Sequence, residues 1–249
     1  MIYTELVGTF RVLTDRFLQK RRREGLFAAT WYTFCLFVSV VLYPLYRFTR
    51  GRQTFSFRGR TYSYFCHWYN TTYNNERALE VAVMLDMVNA VAARNGSILE
   101  IGNVLSHYAN VCHDVLDKYE KGTNVIHEDV VTYAPQKTYD LICSISTIEH
   151  VGWDEDPKDS LKIVRALQNL KQLLSPGGML IVSVPIQYNP HMDELIASNA
   201  FLPEQHFFKR VSLSNIWKPV QKKEALSSMY NEPYPFGNAI TIGVFEKDG

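Results

Sequence analysis

The chain predicts an α/β fold, a doubly wound, mostly parallel sheet of seven strands with helices on both faces, behind an N-terminal hydrophobic helical extension. Three observations carry this. Five apolar runs recur in the middle of the chain: Ile98–Tyr108, Val111–Asp117, Asn124–Asp129, Tyr139–Thr147 and Gly177–Pro185. Strands separated by helices imply a parallel sheet covered on both faces. Between the last two runs, Lys158–Leu174 places Leu161, Val164, Leu167, Leu170 and Leu174 at helical spacing, with lysines outward. The first run ends in Glu100 and Gly102, an acid and a glycine at the carboxyl end of a strand, where open α/β sheets bind ligands.

Length and composition suit one moderate domain, residues 53–249, behind an arm, residues 1–52. With 26 basic and 25 acidic residues the chain as a whole is no polyanion binder. The charge is uneven, however: the arm is basic and the acids come later. Cys35, Cys66, Cys112 and Cys143 show no metal-binding spacing and read as reduced cysteines of a cytosolic protein, with Cys112 and Cys143 in buried strands. The histidines are not spaced as metal ligands either, so no metal is expected.

In the arm, Leu6, Phe10, Leu13 and Phe17 recur at helical spacing beside Arg11, Arg16 and the run Lys20–Arg23, which reads as an amphipathic helix over 1–24. From Gly25 to Tyr46 there is no charged residue. That length reaches across a bilayer. Basic residues flank it on both sides, Lys20–Arg23 before and Arg47, Arg50 and Arg52 after. Because basic residues stay on the cytoplasmic side, a segment that bends at Pro44 and returns, or lies in the interface, is favoured over a full span. A helix packed on the domain or on a partner subunit is the alternative. The preceding basic segment and the missing small-residue cleavage site exclude a signal peptide.

Residues 53–74 alternate around Arg58-Gly59-Arg60 and predict a hairpin. Asn74 or Asn75 caps a following helix with Leu79, Ala82, Val83, Met87 and Val91 on one face, stopped at Asn95-Gly96. The polar and aromatic residues from His67 to Glu80 exceed what a cap needs. They suit either the mouth of a pocket or a capped helix with Glu76 and Glu80 in surface ion pairs. At the far end, His206–Val211 and Asn238–Lys247 read as strands, the last one antiparallel.

Ser97–Pro190 resembles the core of class I S-adenosylmethionine-dependent methyltransferases, a Rossmann-like fold. The shared order is acid-x-glycine after strand one, acids after strands two and three, a Tyr-Asp start to strand four and a Pro-Gly-Gly turn before strand five. Tyr69–Arg77, Glu100–Tyr108, Ser146–Glu155, Val184–Asp193 and Tyr234–Gly243 also resemble a prokaryotic methyltransferase-domain clade associated with glycan-assembly genes. The resemblance implies that Glu100 supports the methionine end of the cofactor, with Gly102 and Asn103 at the close approach. Asp117 takes the ribose hydroxyls, as a two-oxygen acceptor suits a diol. Glu128 or Asp129 reaches the adenine amine, and Ser144 and Ser146 lie beside the sulfonium. The family's glycine-x-glycine-x-glycine is reduced to Gly102 alone, which weakens a dinucleotide reading; Asn103 tolerates a left-handed backbone in place of a glycine.

For catalysis the candidate is His150, after strand four, as a base for an alcohol acceptor, oriented by Glu149 or Asp154. Packing against the cofactor is the plainer role for this histidine. Tyr69, Asn70, Asn75, Glu76, Arg77, Trp153, Tyr188 and Asn189 are the candidate acceptor-binding residues, the last three as an aromatic-and-amide wall for a sugar. The expected activity is methyl transfer to a hydroxyl of a glycan or lipid-linked saccharide, by a peripheral or monotopic protein on the cytoplasmic face of the membrane. A lipid or quinone-like acceptor is a second reading. A catalytically silent methyltransferase-fold subunit of a membrane complex is a third; among partners, a protein complex or a homo-oligomer is left open. The absence of a basic stripe and of a base-flipping motif argues against nucleic acid.

Overall fold

The computed structural model describes residues 17–18, 21–22, 25–50, 52–122 and 124–249. It forms two compact units, residues 1–49 and 50–249. The helix expected over 1–24 lies almost wholly outside the described residues. In the first unit, α1 (Leu26–Val41) and α2 (Tyr43–Arg50) are separated at Leu42. Pro44 sits in the first turn of α2, where its missing N–H costs nothing but cannot continue the ladder of α1. Among the described residues no helix is long and apolar enough to cross a membrane.

The second unit opens with a hairpin, β1 (Thr54–Phe57) and β2 (Arg60–Ser63). Its two turn residues, Arg58 and Gly59, both have positive φ (47° and 75°), as a two-residue hairpin turn requires. Helix α3 (Arg77–Ala92) follows. The main sheet contains β3 (Ile98–Ile101), β4 (Asp114–Leu116), β5 (Val125–Ile126), β6 (Tyr139–Ile145), β7 (Leu174–Pro185), β8 (Glu204–Arg210), β9 (Trp217–Val220) and β10 (Ala239–Glu246). Their order is β5-β4-β3-β6-β7-β10-β8-β9. The first five are parallel, and β10 runs antiparallel between β7 and β8. β9 is an edge strand beyond the seven expected.

Helices α4 (Lys162–Gln172), α5 (Pro190–Ala197) and α6 (Lys222–Leu226) pack on one face through Ile163, Leu167, Leu170, Met192, Ile196 and Ala225. Helix α3 and the hairpin pack on the other through Phe55, Phe57, Leu79, Val83 and Met84. The sheet therefore has both faces covered, as parallel strands demand.

Two local expectations change. Helices are expected between the strands, but the link after β3 is a single 3-10 turn, Leu105–His107, anchored by fully buried Leu105. The Ser175–Gly178 turn lies inside β7 as an irregularity, with Gly177 at φ 72° and its N–H on Lys247 O. Cys112 is exposed and precedes β4 rather than lying in it, whereas Cys143 is buried.

Candidate active site

The carboxyl ends of β3, β4 and β6 form one rim, and short loops set its side chains. After β3 the chain turns at Gly102, whose φ is +83°. A Cβ there would lie 2.4 Å from Thr147 Oγ1, so the loop after β6 closes directly on this glycine. Gly102, not Asn103, takes the left-handed backbone. The next three N–H groups are already committed. Asn103 N–H donates to Asp117 Oδ2 (3.2 Å), and Val104 and Leu105 N–H donate to Glu100 Oε1 (2.9 and 2.7 Å). With its amides aimed at the protein's own carboxylates, this loop offers no cradle to a pyrophosphate.

Glu100 is fully buried, and its other oxygen meets His113 Nε2 at 2.8 Å. Both oxygens are spent holding the loop, so its effect on a cofactor is through the loop rather than by contact. Asp117 Oδ1 accepts from the N–H groups of Tyr119 and Glu120, each at 2.8 Å. A carboxylate has about four acceptor positions. Three are filled, which leaves one position on Oδ2, room for a single ribose hydroxyl rather than both.

After β5, Glu128 is exposed while Asp129 pairs with Lys162 (2.7 Å) and Lys118 (3.0 Å). Burial pushes the Asp129 carboxyl up, but the lysine and Val131 N–H hydrogen bonds outweigh it and hold it at about 2. Asp129 is thus an anchor between loops, and Glu128 is the exposed acid of the two. Ser144 is fully buried, and its Oγ has no partner among the described residues. Ser146, at φ 40°, donates its hydroxyl to Glu80 Oε1 (2.6 Å).

His150 ends the 3-10 turn Ile148–His150 after β6. Its Nδ1 lies 2.5 Å from Asp154 Oδ2, to which Tyr188 also donates at 2.7 Å. A carboxylate only accepts, so Nδ1 bears the hydrogen and Nε2 is the free acceptor in the neutral ring. Burial pushes the Asp154 carboxyl up, but the hydrogen bonds from His150 and Tyr188 prevail and hold it below the usual range. Of the two expected orienting acids, Asp154 does the orienting; Glu149 Oε1 is 3.8 Å from Nε2.

The segment before α3 lies over the β3 loop. Tyr69 stacks on His107 at 4.6 Å, and Thr72 donates to the Tyr108 hydroxyl at 2.9 Å. Asn70 has φ 50° and its carbonyl accepts from Asn75 Nδ2 at 2.8 Å. Asn75 Oδ1 accepts Arg77 N–H at 3.0 Å, capping α3. Asn75 therefore faces inward and is not an acceptor contact. Asn189 likewise caps α5 through Oδ1 and donates to Glu149 O at 2.7 Å, so it forms no sugar wall. The Trp153 ring carries Lys158 Nζ 3.4 Å from its centre, which covers that face against a sugar.

Glu76, Glu80 and Glu149 are buried together rather than paired at the surface. Glu76 Oε2 accepts Gly237 N–H (3.1 Å), and Arg77 reaches Ile145 O (2.8 Å) with its Nε 3.8 Å from Glu80 Oε2. Burial, then the charge of Glu80, raises the Glu76 carboxyl to about 7, and burial raises Glu149 well above the carboxylate range. Sequence reasoning missed Glu80 as a site residue. The available signal was its position one turn beyond Glu76 in a helix with apolar residues on several sides.

S-adenosylmethionine presents a ribose diol, an adenine amine and a sulfonium cation. Two groups at the rim fit it: Asp117, a locked carboxylate with one open acceptor position, and Glu128, an exposed acid.

The methyltransferase-domain family model matches residues 72–220, more than half of the chain. No curated protein matches. Among solved structures, the chain is similar to the N-methyltransferase NodS from Bradyrhizobium japonicum with S-adenosyl-L-homocysteine, at 13% identity over 70% of this chain and 89% of that one, TM-score 0.42. A possible histamine N-methyltransferase from Thermotoga maritima shares 17% over 66% and 88%, TM-score 0.37. An amino pentose methyltransferase from Micromonospora echinaspora, bound to S-adenosylmethionine, shares 17% over 44% and 51%, TM-score 0.33. The cofactor of that family is S-adenosylmethionine. On the strength of the family match, the chain belongs to the methyltransferase-domain family.

Proposed function

We propose that the chain methylates a heteroatom of a glycan or lipid-linked saccharide at the cytoplasmic face of a membrane, with His150 removing the acceptor proton. The hydrogen bond from His150 Nδ1 to Asp154, shared with Tyr188, carries this reading, because it fixes the tautomer and frees Nε2 for the acceptor. S-adenosylmethionine supplies the electrophilic methyl group. The residues of the chain orient the acceptor and take its proton; methyl transfer is otherwise a matter of alignment.

Exposed Trp68 beside Tyr69, and Tyr230 edge-on to Tyr188 at 5.3 Å, suit a saccharide, offering aromatic faces next to polar groups. The membrane half rests on the arm. In α1, Leu26, Phe27, Trp31, Phe34, Phe37 and Val41 are exposed. At 3.6 residues per turn they fall within an arc of about 140°. Sixteen residues make a helix about 24 Å long, shorter than the ~30 Å hydrocarbon layer. Basic residues at both ends and an apolar stripe suit a helix lying in the interface of an anionic membrane.

The test follows labelled methyl transfer from S-adenosylmethionine into the saccharide fraction of membrane extracts. His150→Gln is expected to lower kcat by about 10²–10⁴-fold with cofactor affinity unchanged. An undiminished rate in that variant, or label confined to lipid without sugar, contradicts the reading.

A further inference from the structure

We propose that the cavity between the end of β8, the start of β10 and the loop after α6 is a subsite for a neutral sugar unit of the acceptor, adjoining the unit that is methylated. This rests on the saccharide reading above and names Lys209, Ser228 and Glu232 as its contacts.

Sheet register puts this cavity on the same edge as the cofactor rim. Lys209 pairs with Ala239 at the start of β10, and Ile240 pairs with Pro185 at the end of β7. The ends of β7 and β8 and the start of β10 therefore share the edge where β3, β4 and β6 end. The cavity holds about 520 Å³, within the ~300–1,000 Å³ typical of small-ligand sites. Its connection to His150 is short. Met229 lines the cavity, and the next residue, Tyr230, meets Tyr188 edge-on at 5.3 Å. Tyr188 in turn donates to Asp154, the partner of His150.

The chain itself fixes the walls. Asn231 N–H donates to Phe236 O and Phe236 N–H to Asn231 Oδ1, each at 2.8 Å. Phe236 has φ 70°, a left-handed backbone that an aromatic residue adopts only where its surroundings impose it. Two lining residues are closed to a ligand. Arg210 directs its five N–H groups to oxygens of Asn74, Ser212, Leu213 and Pro235, and Asn238 exchanges its hydrogen bonds with Tyr234 and Phe236.

Three polar side chains remain. Ser228 is buried, and its Oγ has no partner among the described residues, a state that costs stability. Lys209 Nζ stands 3.5 Å from Glu224, longer than a close hydrogen bond. Glu232 is exposed. Together they offer an ammonium donor, a carboxylate acceptor and a hydroxyl that does both. Sugar hydroxyls each donate and accept, so one ring satisfies all three. Met229 and Pro233 add apolar surface for its C–H face. An anionic ligand would meet Glu232 as well as Lys209, and an apolar one would leave Ser228 unpaired.

Saturation-transfer NMR on the full chain tests binding apart from catalysis, with cellobiose, maltose and chitobiose as neutral probes and glucose 1-phosphate as the anionic one. At least one neutral disaccharide should bind. Lys209→Met combined with Glu232→Gln should weaken it about tenfold while S-adenosylmethionine affinity holds. Ser228→Ala, which removes a hydroxyl without adding bulk, should weaken it about threefold. No signal from any neutral probe, unchanged affinity in the variants, or tighter binding of glucose 1-phosphate overturns the subsite and leaves methyl transfer standing. In the labelled-methyl assay the double variant should raise the acceptor KM about tenfold. A fall in kcat alone overturns the subsite in favour of a structural role for the loop. No labelled saccharide from the wild type, with disaccharide binding intact, defeats the methyl-transfer reading instead, and with it the role of the cavity toward an acceptor.

Discussion

Glu76→Gln is the substitution with the clearest sign. The Glu76 carboxyl sits in a buried position, 7% exposed, against the charge of Glu80, and titrates at about 7 instead of 4.5. Its folded state therefore holds a proton that the unfolded chain releases above about 4.5. The stabilisation tied to that proton is complete below 4.5 and is lost as pH rises to about 7. At 1.36 kcal/mol per pH unit, the difference between 4.5 and about 7 sets a ceiling of about 3 kcal/mol. Glutamine keeps an oxygen for Gly237 N–H and cannot ionise, so the variant escapes the loss. Urea midpoints taken from pH 5 to 8 provide the assay. The wild type should lose stability across that range, and Glu76→Gln should lose less and be the more stable protein at pH 8. Parallel curves for the two proteins would refute the placement of a protonated carboxyl at this site.

Three other outcomes follow from the same geometry. Gly102→Ala forces a side chain onto φ +83° and into Thr147, so a loss of about 2–4 kcal/mol is expected in chemical denaturation, and adding Thr147→Ala should recover only the steric part. Asp129, held at about 2, contributes stability above the usual carboxylate range that is lost as pH falls towards 2; Asp129→Asn should cost about 1–2 kcal/mol at pH 7 and flatten the acid limb of the stability profile. Tyr188→Phe removes one of the two hydrogen bonds on Asp154 and should lower kcat less than His150→Gln, as measured in the labelled-methyl assay.

Much of the fold was legible because burial imposes periodicity. Apolar runs such as Ile98–Ile101 and Tyr139–Ile145 have both faces covered, and the spacing of Ile163, Leu167 and Leu170 marks a helix on one of them. The missing helix after β3 was not legible, because Leu105 and Tyr108 supply apolar character that a 3-10 turn buries equally well. At the site, positions at strand ends were readable and partners were not. Asn75 and Asn189 looked like ligand-binding amides, yet backbone N–H and C=O groups at helix starts had first claim on them. Glu76 and Glu80 looked like surface charges because local sequence says nothing of Gly237 and Ser146, which arrive from far along the chain.

Calorimetric titration of S-adenosylmethionine into the full chain and into Asp117→Ala bears most directly on the cofactor site. The wild type should bind one equivalent, and the variant should bind at least tenfold more weakly without losing its fold. Equal affinity in the two proteins, or no heat of binding in either, would contradict a nucleoside held at the ends of β3, β4 and β6.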